Sequence, residues 1–237
     1  MIDIIREYWQ NYLFSDGYRL SGLAITLWLL VVSIGLGFLL AVPMAIARAS
    51  SNRFISGPVW LYTYVFRGTP LYVQLLLCYT GIYSLHAVHS YAMLDAFFRN
   101  AMNCTLLAFT LNECAYATEI LAGSIKATAY GEIEAAQAYG MSKFKIYTRV
   151  ILPSALRRAL PMYSNEVILM LHATTLAFTA TIPDILKVAR DVNAATYASF
   201  QAFTIAAALY AAIVFALLWA FRRMERRLLA FLKPQGH

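Results

Sequence analysis

Three carboxylates and a histidine stand inside long apolar stretches of this 237-residue chain. Glu113 and Glu119 fall within 100–125, and Glu166 and His172 within 159–182. A carboxylate at the centre of a bilayer costs about 3 kcal/mol on insertion scales, so each must face protein or a water-filled cavity. Glu113 lies 13 residues from one end of its stretch and 12 from the other, near its middle. Asn112, Tyr116 and Glu119 follow i, i+4, i+7 and share one helical face, with Glu113 turned about 100° from Asn112. Glu166 sits about two turns inside its own stretch, a depth similar to that of Glu119. Buried carboxylates of this kind hold a cation or relay protons. His172 shares a face with Asn165, but a lone histidine in such a setting is usually a hydrogen-bonded packing residue. His86-Ala87-Val88-His89 lacks a third ligand, so no metal site is expected, and the pair falls in an external loop.

A second constellation occupies the polar island 126–158. It reads Glu134-Ala135-Ala136-Gln137-Ala138-Tyr139-Gly140, then nine residues, then Val150-Ile151-Leu152-Pro153. Ile133–Tyr139 favours a short helix that stops at Gly140. Ser142 caps a second helix running to about Leu152, which Pro153 ends. No Glu or Gln follows Ser142 at the third position, so the capping box is incomplete. The product is a helix–turn–helix knuckle carrying Lys126, Lys143, Lys145, Arg149, Arg157 and Arg158. It suits either a solvated loop that anchors two spans by its charge or a docking surface for a soluble partner.

The elements that must position these groups follow from composition. The chain is 61% hydrophobic and 13% charged, with mean hydropathy +0.60, values that point to a multi-span membrane protein. Five spans are expected, at roughly 20–47, 58–85, 100–125, 159–182 and 200–221, in a single domain over 1–237. Arg67 interrupts the start of the second and is expected to snorkel to an interface. Ile185, Val188 and Val192 suit an amphipathic helix at the outer surface. Asp3, Arg6, Glu7 and Asp16 argue against a cleavable leader. Cys78, Cys104 and Cys114 have no framework or metal spacing and are expected to pack.

The net charge of +7 marks cytoplasmic loops and does not require nucleic acid. Placing the Ser50 link, the knuckle and the C-terminal tail on one side collects 13 basic residues against 5 on the other, with Arg67 apart. The N-terminus is therefore expected outside, and the knuckle and C-terminus in the cytoplasm. The chain has no G-x-x-x-x-G-K-[ST], H-E-x-x-H or G-x-S-x-G, so nucleotide binding by a P-loop and two common hydrolase chemistries are not expected.

Four stretches carry a family resemblance. E-A-A-x₃-G-x₉-V-x-L-P resembles the EAA loop of membrane subunits of binding-protein-dependent ABC importers, with Val150 where Ile is commoner. Phe66-Arg67-Gly68-Thr69-Pro70-Leu71-Tyr72-Val73-Gln74-Leu75 resembles the FRGTPLLVQL signature of amino-acid importers. Ala115–Ile120 and Ser164–His172 also match family patterns. Over its whole length the chain resembles polar amino-acid ABC importer subunits, closest to the HisM type of histidine and lysine/arginine/ornithine permeases. Ala129-Tyr130-Gly131-Glu132 departs from the family by lacking a proline before the glycine.

The resemblance implies an all-α, five-span type I importer fold with a cytoplasmic coupling helix. Glu134, Ala135, Ala136, Gly140 and Pro153 would couple to an ATPase. The implied partners are a second, HisQ-like membrane subunit, two copies of a cytoplasmic ATP-binding subunit and a periplasmic amino-acid-binding protein, in a bacterial inner membrane. The subunit itself would be no enzyme and would need no cofactor. Glu113, Asn112, Tyr116, Glu119, Glu166 and His172 would line the path of a basic amino acid. The rival class is an ion-coupled carrier or channel in which Glu113, Glu119 and Glu166 relay protons, but such a protein has no need of an EAA loop.

Overall fold

The computed structural model describes residues 2–229. Its described elements are helical, with only two isolated bridges and no strand among these residues. A short helix α1 (Ile2–Leu13) leads to α2 (Gly22–Ala49). Next come α3 (Arg53–Gly68) and α4 (Leu71–Leu76), the latter continuing as a π turn over Leu77–Ile82. Two small helices, α5 (His86–His89) and α6 (Ala92–Phe98), precede α7 (Ala101–Lys126). The knuckle holds α8 (Tyr130–Ala138) and α9 (Lys143–Ile146). Then follow α10 (Leu152–Ala173) with a 3₁₀ extension over Thr174–Ala180, α11 (Ile185–Thr196) and α12 (Ser199–Leu228). The expected C-terminal end, 230–237 with Lys233, lies outside the described residues.

The bundle is built on α2 and α7, the most extensively packed pair. On α2, Ser33, Gly37, Ala41 and Ala45 recur every fourth residue and are all buried. This small-residue stripe lets two backbones approach without side chains holding them apart. At Gly37 the approach is so close that a Cβ would stand 2.6 Å from Glu113 Cγ and 3.2 Å from the Cys114 backbone nitrogen. By length and composition, α2 and α12 are the helices able to cross a membrane unbroken among the described residues.

Three expected boundaries shift. The second apolar block begins earlier, at Arg53, because Asn52 caps α3 by accepting from the Phe54 N–H at 2.9 Å. That block is also broken at Thr69-Pro70, where Pro70 has no N–H to continue the ladder. Pro153 does not end a helix: it sits in the first turn of α10, where a missing N–H is tolerated. The π turn Tyr147–Ile151 joins α9 to α10 with a wider ring, so the chain runs helically through the proline.

One end of the bundle is tied by α11, which packs on α2 and α12 and buries Ile185, Val188, Ala189 and Val192. The Gly22 N–H donates to the Pro183 carbonyl at 2.7 Å, and the Ile185 N–H to Thr26 Oγ1 at 3.2 Å. Gly22 has φ +55°, and a Cβ there would lie 2.1 Å from the Tyr12 carbonyl oxygen, so only glycine fits. Asp184 caps α11, accepting from Leu186 N–H at 3.2 Å, Lys187 N–H at 3.0 Å and the Tyr210 hydroxyl at 3.1 Å. It is fully buried.

Burial pushes the Asp184 carboxyl up to about 6, against the opposing pull of its hydrogen bonds. The folded state thus binds this proton more tightly than the unfolded chain does. Its contribution is fully present below the unfolded value and is lost as pH rises through about 6. We expect the thermal midpoint of the purified complex to fall between pH 4.5 and pH 7 by an amount equivalent to about 3 kcal/mol at most. Asp184→Asn, which keeps the cap, should flatten that part of the curve. A wild-type midpoint that rises over this range, or an unchanged slope in the variant, would refute the assignment.

Candidate functional site

The knuckle folds as its residues dictate. Helix α8 ends in a left-handed Gly140 (φ +70°), with the Gly140 N–H donating to Gln137 O at 2.8 Å and the Met141 N–H to Ala136 O at 3.2 Å. This pair of bonds is the Schellman arrangement, which satisfies the last carbonyls of a helix and needs a residue free to take positive φ. Ser142 Oγ then accepts from the Lys145 N–H at 3.4 Å, a long bond but the expected cap of α9. Ala136 is buried in a cluster with Ile146, Ile151, Ala155, Ile125 and Leu121, and α8 packs through it on α9 and the π turn that follows.

Glu134 and Ala135 face outward. Around them Tyr130, Tyr139 and Phe144 are 72%, 87% and 77% exposed, a concentration of bare aromatic surface on the polar end of the molecule. Arg158, which the sequence offered only as one more cytoplasmic charge, is structural. Its guanidinium donates to the Ser124 carbonyl at 3.1 Å, Thr128 Oγ1 at 2.6 Å and Ser154 Oγ at 2.6 Å. It thereby locks the C-terminal end of α7 to the start of α10, on either side of the knuckle.

The shared face of Asn112, Tyr116 and Glu119 turns toward α3, one contact per helical turn. Asn112 Nδ2 donates to the Phe66 carbonyl at 3.2 Å and to Gln74 Oε1 at 3.1 Å. Gln74 Nε2 donates to Phe66 O at 2.7 Å, Thr69 O at 3.1 Å and Thr69 Oγ1 at 2.8 Å. These two amides satisfy carbonyls that the break between α3 and α4 leaves without helical partners. One turn on, the Tyr116 hydroxyl reaches the Arg67 carbonyl at 3.5 Å, and the Arg67 guanidinium lies over the Tyr116 ring, 5.3 Å from its centroid. Another turn on, Glu119 Oε1 accepts from Arg48 Nε and from Thr63 Oγ1, each at 2.7 Å.

Glu119 closes a clamp among α2, α3 and α7 with one of its oxygens. Arg67 stands beside Tyr116, and its backbone neighbour Phe66 is bonded to Asn112, near the middle of α7.

Glu166 is 8% exposed, and His172, near the C-terminal end of α10, is exposed. Arg67 lies within electrostatic reach of Glu166 as well as Glu119. Glu113 reaches no surface. It occupies the space left by the missing side chain of Gly37, and Tyr163, whose ring packs 5.1 Å from that of Phe38, covers it from α10. Neither Glu113 oxygen has a hydrogen-bond partner among the described residues, nor does the Tyr163 hydroxyl. An apolar groove of about 420 Å³ beside Tyr163 is walled by Ile34, Phe38, Leu160, Phe221 and Met224, with Arg157 at its edge. Its lining suits no charged solute.

Known proteins resemble this chain in sequence and in fold. The profile of the family described as "Binding-protein-dependent transport system inner membrane component" matches residues 33–230. The histidine/lysine/arginine/ornithine transport system permease protein HisM of Salmonella typhimurium is 63% identical over 227 residues, 96% of this chain and 97% of that one. HisM of Escherichia coli K12 is 61% identical over 236 residues, covering 100% and 99%. The nopaline transport system permease protein NocM of Agrobacterium fabrum is 41% identical, covering 83% and 81%. A crystal structure of an amino acid ABC transporter with histidines superposes with TM-score 0.74 at 30% identity, covering 86% of this chain and 90% of that one. An inward-facing MetNI methionine ABC transporter superposes with TM-score 0.71 at 15% identity, covering 86% and 92%, and bears on the fold alone.

The Gly37 contact yields a direct test. Gly37→Ala places a Cβ 2.6 Å from Glu113 Cγ and 2.9 Å from its Cβ, an overlap that helix backbones must move to relieve. We expect a loss of about 1–3 kcal/mol, the usual cost of overpacking, read as a lower thermal midpoint of the purified complex. Gly35→Ala, where nothing lies within 4 Å, is the control and should be neutral. Equal midpoints for the two variants would show that α2 and α7 are not packed as described.

Proposed function

The chain belongs to the binding-protein-dependent transport system inner membrane component family, and on that premise we propose that it is the membrane permease subunit of an ATP-driven importer of basic amino acids: histidine, lysine, arginine and ornithine. The near-complete coverage of HisM relatives at 61–63% identity supports the solute class. No bond of the solute changes, and ATP is hydrolysed by a separate subunit.

The observation that carries the reading over an ion-coupled carrier is the knuckle. Ala136 packs α8 into the knuckle's buried cluster and Arg158 ties the end of α7 to the start of α10, while Tyr130, Tyr139 and Phe144 present bare aromatic surface outward. A carrier driven by an ion gradient has no use for such a lever. Two copies of an ATP-binding subunit seat this knuckle and its counterpart on a second, HisQ-like membrane subunit. A periplasmic binding protein delivers solute to the opposite end. ATP binding draws the motor dimer together, displaces the coupling helices and opens the path outward; hydrolysis returns it inward. Tyr116, Glu166 and His172 line that path, whereas Asn112 and Glu119 brace the helices around it.

The protein lies in a bacterial inner membrane with five crossings: α2, α3 with α4, α7, α10 and α12. The start of α2, helix α11 and the start of α12 gather at one end, and the alternation of crossings puts the knuckle at the other, richer in basic residues. That end faces the cytoplasm, and the N-terminus the periplasm.

Two outcomes are expected. Gly140→Val forces a β-branched residue into positive φ and misdirects α9. The variant should insert and assemble, yet lose about tenfold or more of its solute-stimulated ATP hydrolysis in the reconstituted complex, as a misplaced coupling contact would. Undiminished stimulation would eliminate the coupling role. A reporter active only in the cytoplasm should work when inserted within Lys143–Arg149 and fail within Asp184–Asp191; activity at the second site would overturn the orientation.

A further inference from the structure

Helix α12 carries a face that changes character along its length. Phe215 and Trp219, then Arg222, Arg223, Arg226 and Arg227, recur at spacings of three and four and so share one side of the helix. Phe215 is 70% and Trp219 68% exposed, and all four arginines are exposed. The residues that α12 buries, Ala202, Ala206 and Ile213, lie about 150° round the helix from this stripe. The C-terminal part of α12 stands beside the start of α10, since Phe221 and Met224 share a groove with Leu156 and Leu160. The stripe therefore runs from apolar surface onto the knuckle end of the bundle, with the arginines outermost.

A stop to membrane insertion needs only positive charge near the end of a span, on any side of it. Here all four guanidiniums stand on one side. The carboxylate of that segment, Glu225, is turned away and accepts from Ser164 Oγ of α10 at 3.4 Å. None of the four arginines forms an ion pair among the described residues, and the guanidinium of Arg223 lies 6.0 Å from the centroid of the Trp219 ring. Like charges so close repel one another unless they share an anion. Arginine's fork pairs with phosphate oxygens in two parallel bonds. The apolar end of the stripe decides which phosphate, because a soluble one has no use for Phe215 and Trp219. From Phe215 to Arg226 is about 16 Å along the helix, the depth of a lipid headgroup with the upper part of its acyl chain.

We propose that this face of α12 binds an anionic phospholipid of the cytoplasmic leaflet, with the phosphate among the four arginines and an acyl chain along Trp219 and Phe215. The assignment rests on the membrane placement given above and adds a lipid partner at the end of the last crossing. Glu225 ties the same turn to α10, so the bound lipid anchors the knuckle end of the bundle to the membrane surface.

The test uses the complete complex, both membrane subunits with the ATP-binding subunits, in vesicles of equal parts phosphatidylglycerol and phosphatidylcholine. The second lipid has the same phosphate but carries a compensating ammonium. Bromine, which quenches tryptophan fluorescence on contact, is placed on the acyl chains of one lipid or of the other, so the two preparations have the same surface charge. The signal of Trp219 is the difference between the wild type and Trp219→Phe. Its quenching should show phosphatidylglycerol favoured about fivefold or more, the worth of one basic residue at an anionic surface. Arg222→Gln with Arg226→Gln should bring that preference to within about twofold, and lysine at both positions should keep most of it. Arg53→Gln with Lys126→Gln, which removes two charges elsewhere, should leave it unchanged. Equal quenching by both lipids in the wild type, a preference that survives the glutamine pair, or one lost equally with the distant pair would overturn the proposal. So would no quenching by either lipid, the result expected if another subunit covers this face. Extraction of native membranes with alkaline carbonate reads the parent placement separately. A chain that stays in the membrane without a lipid preference loses only this site, whereas a chain released by carbonate removes the membrane placement and the site with it.

Discussion

The close approach of α2 and α7 is the constraint on which the rest depends. Helices surrounded by lipid gain little from hydrophobic burial against one another, so they are held by packing and by polar contacts. Small residues at every fourth position of α2 allow that packing, and Gly37 marks its tightest point. With α2 and α7 in register, Arg48 reaches Glu119 and adds Thr63 of α3 to the joint. Glu113 is enclosed by the same contact. A carboxylate near the middle of α7 is thus fully buried between the two helices.

The second span solves a different problem. A chain broken inside an apolar layer exposes carbonyls that no water satisfies, and each must find an internal partner. Thr69-Pro70 creates the break, and Gln74 on the same segment with Asn112 on α7 provides the partners. The signature Phe66–Leu75 is therefore a self-contained device: a residue that cannot continue the helix, an amide four positions later that repairs it, and an arginine displayed at the gap. What looked like a list of conserved-style letters is a backbone accounting problem with one solution.

At the polar end the same logic shapes the knuckle. Gly140 permits the Schellman bonds, Ala136 lets α8 lie close, and Arg158 joins α7 to α10 on the far side of the turn. The π turn at Tyr147–Ile151 and Pro153 make α9 and α10 one continuous arm.

The sequence by itself determined the apolar blocks, the polar knuckle with its stop at Gly140 and cap at Ser142, and the common face of Asn112, Tyr116 and Glu119. These are local or periodic properties: hydropathy over a span, a residue able to take positive φ, a spacing of three to four. Tertiary structure alone decided which of the charged groups are engaged. Whether Glu119 meets Arg48, 71 positions away, or Arg158 meets Ser124, 34 away, depends on which helices lie side by side. Spacing along one helix carries no record of that. For the same reason Arg67 could not be placed from its neighbours in sequence: its position beside Tyr116 follows from a bond from α7 to Phe66, and Glu119 is paired with Arg48 instead.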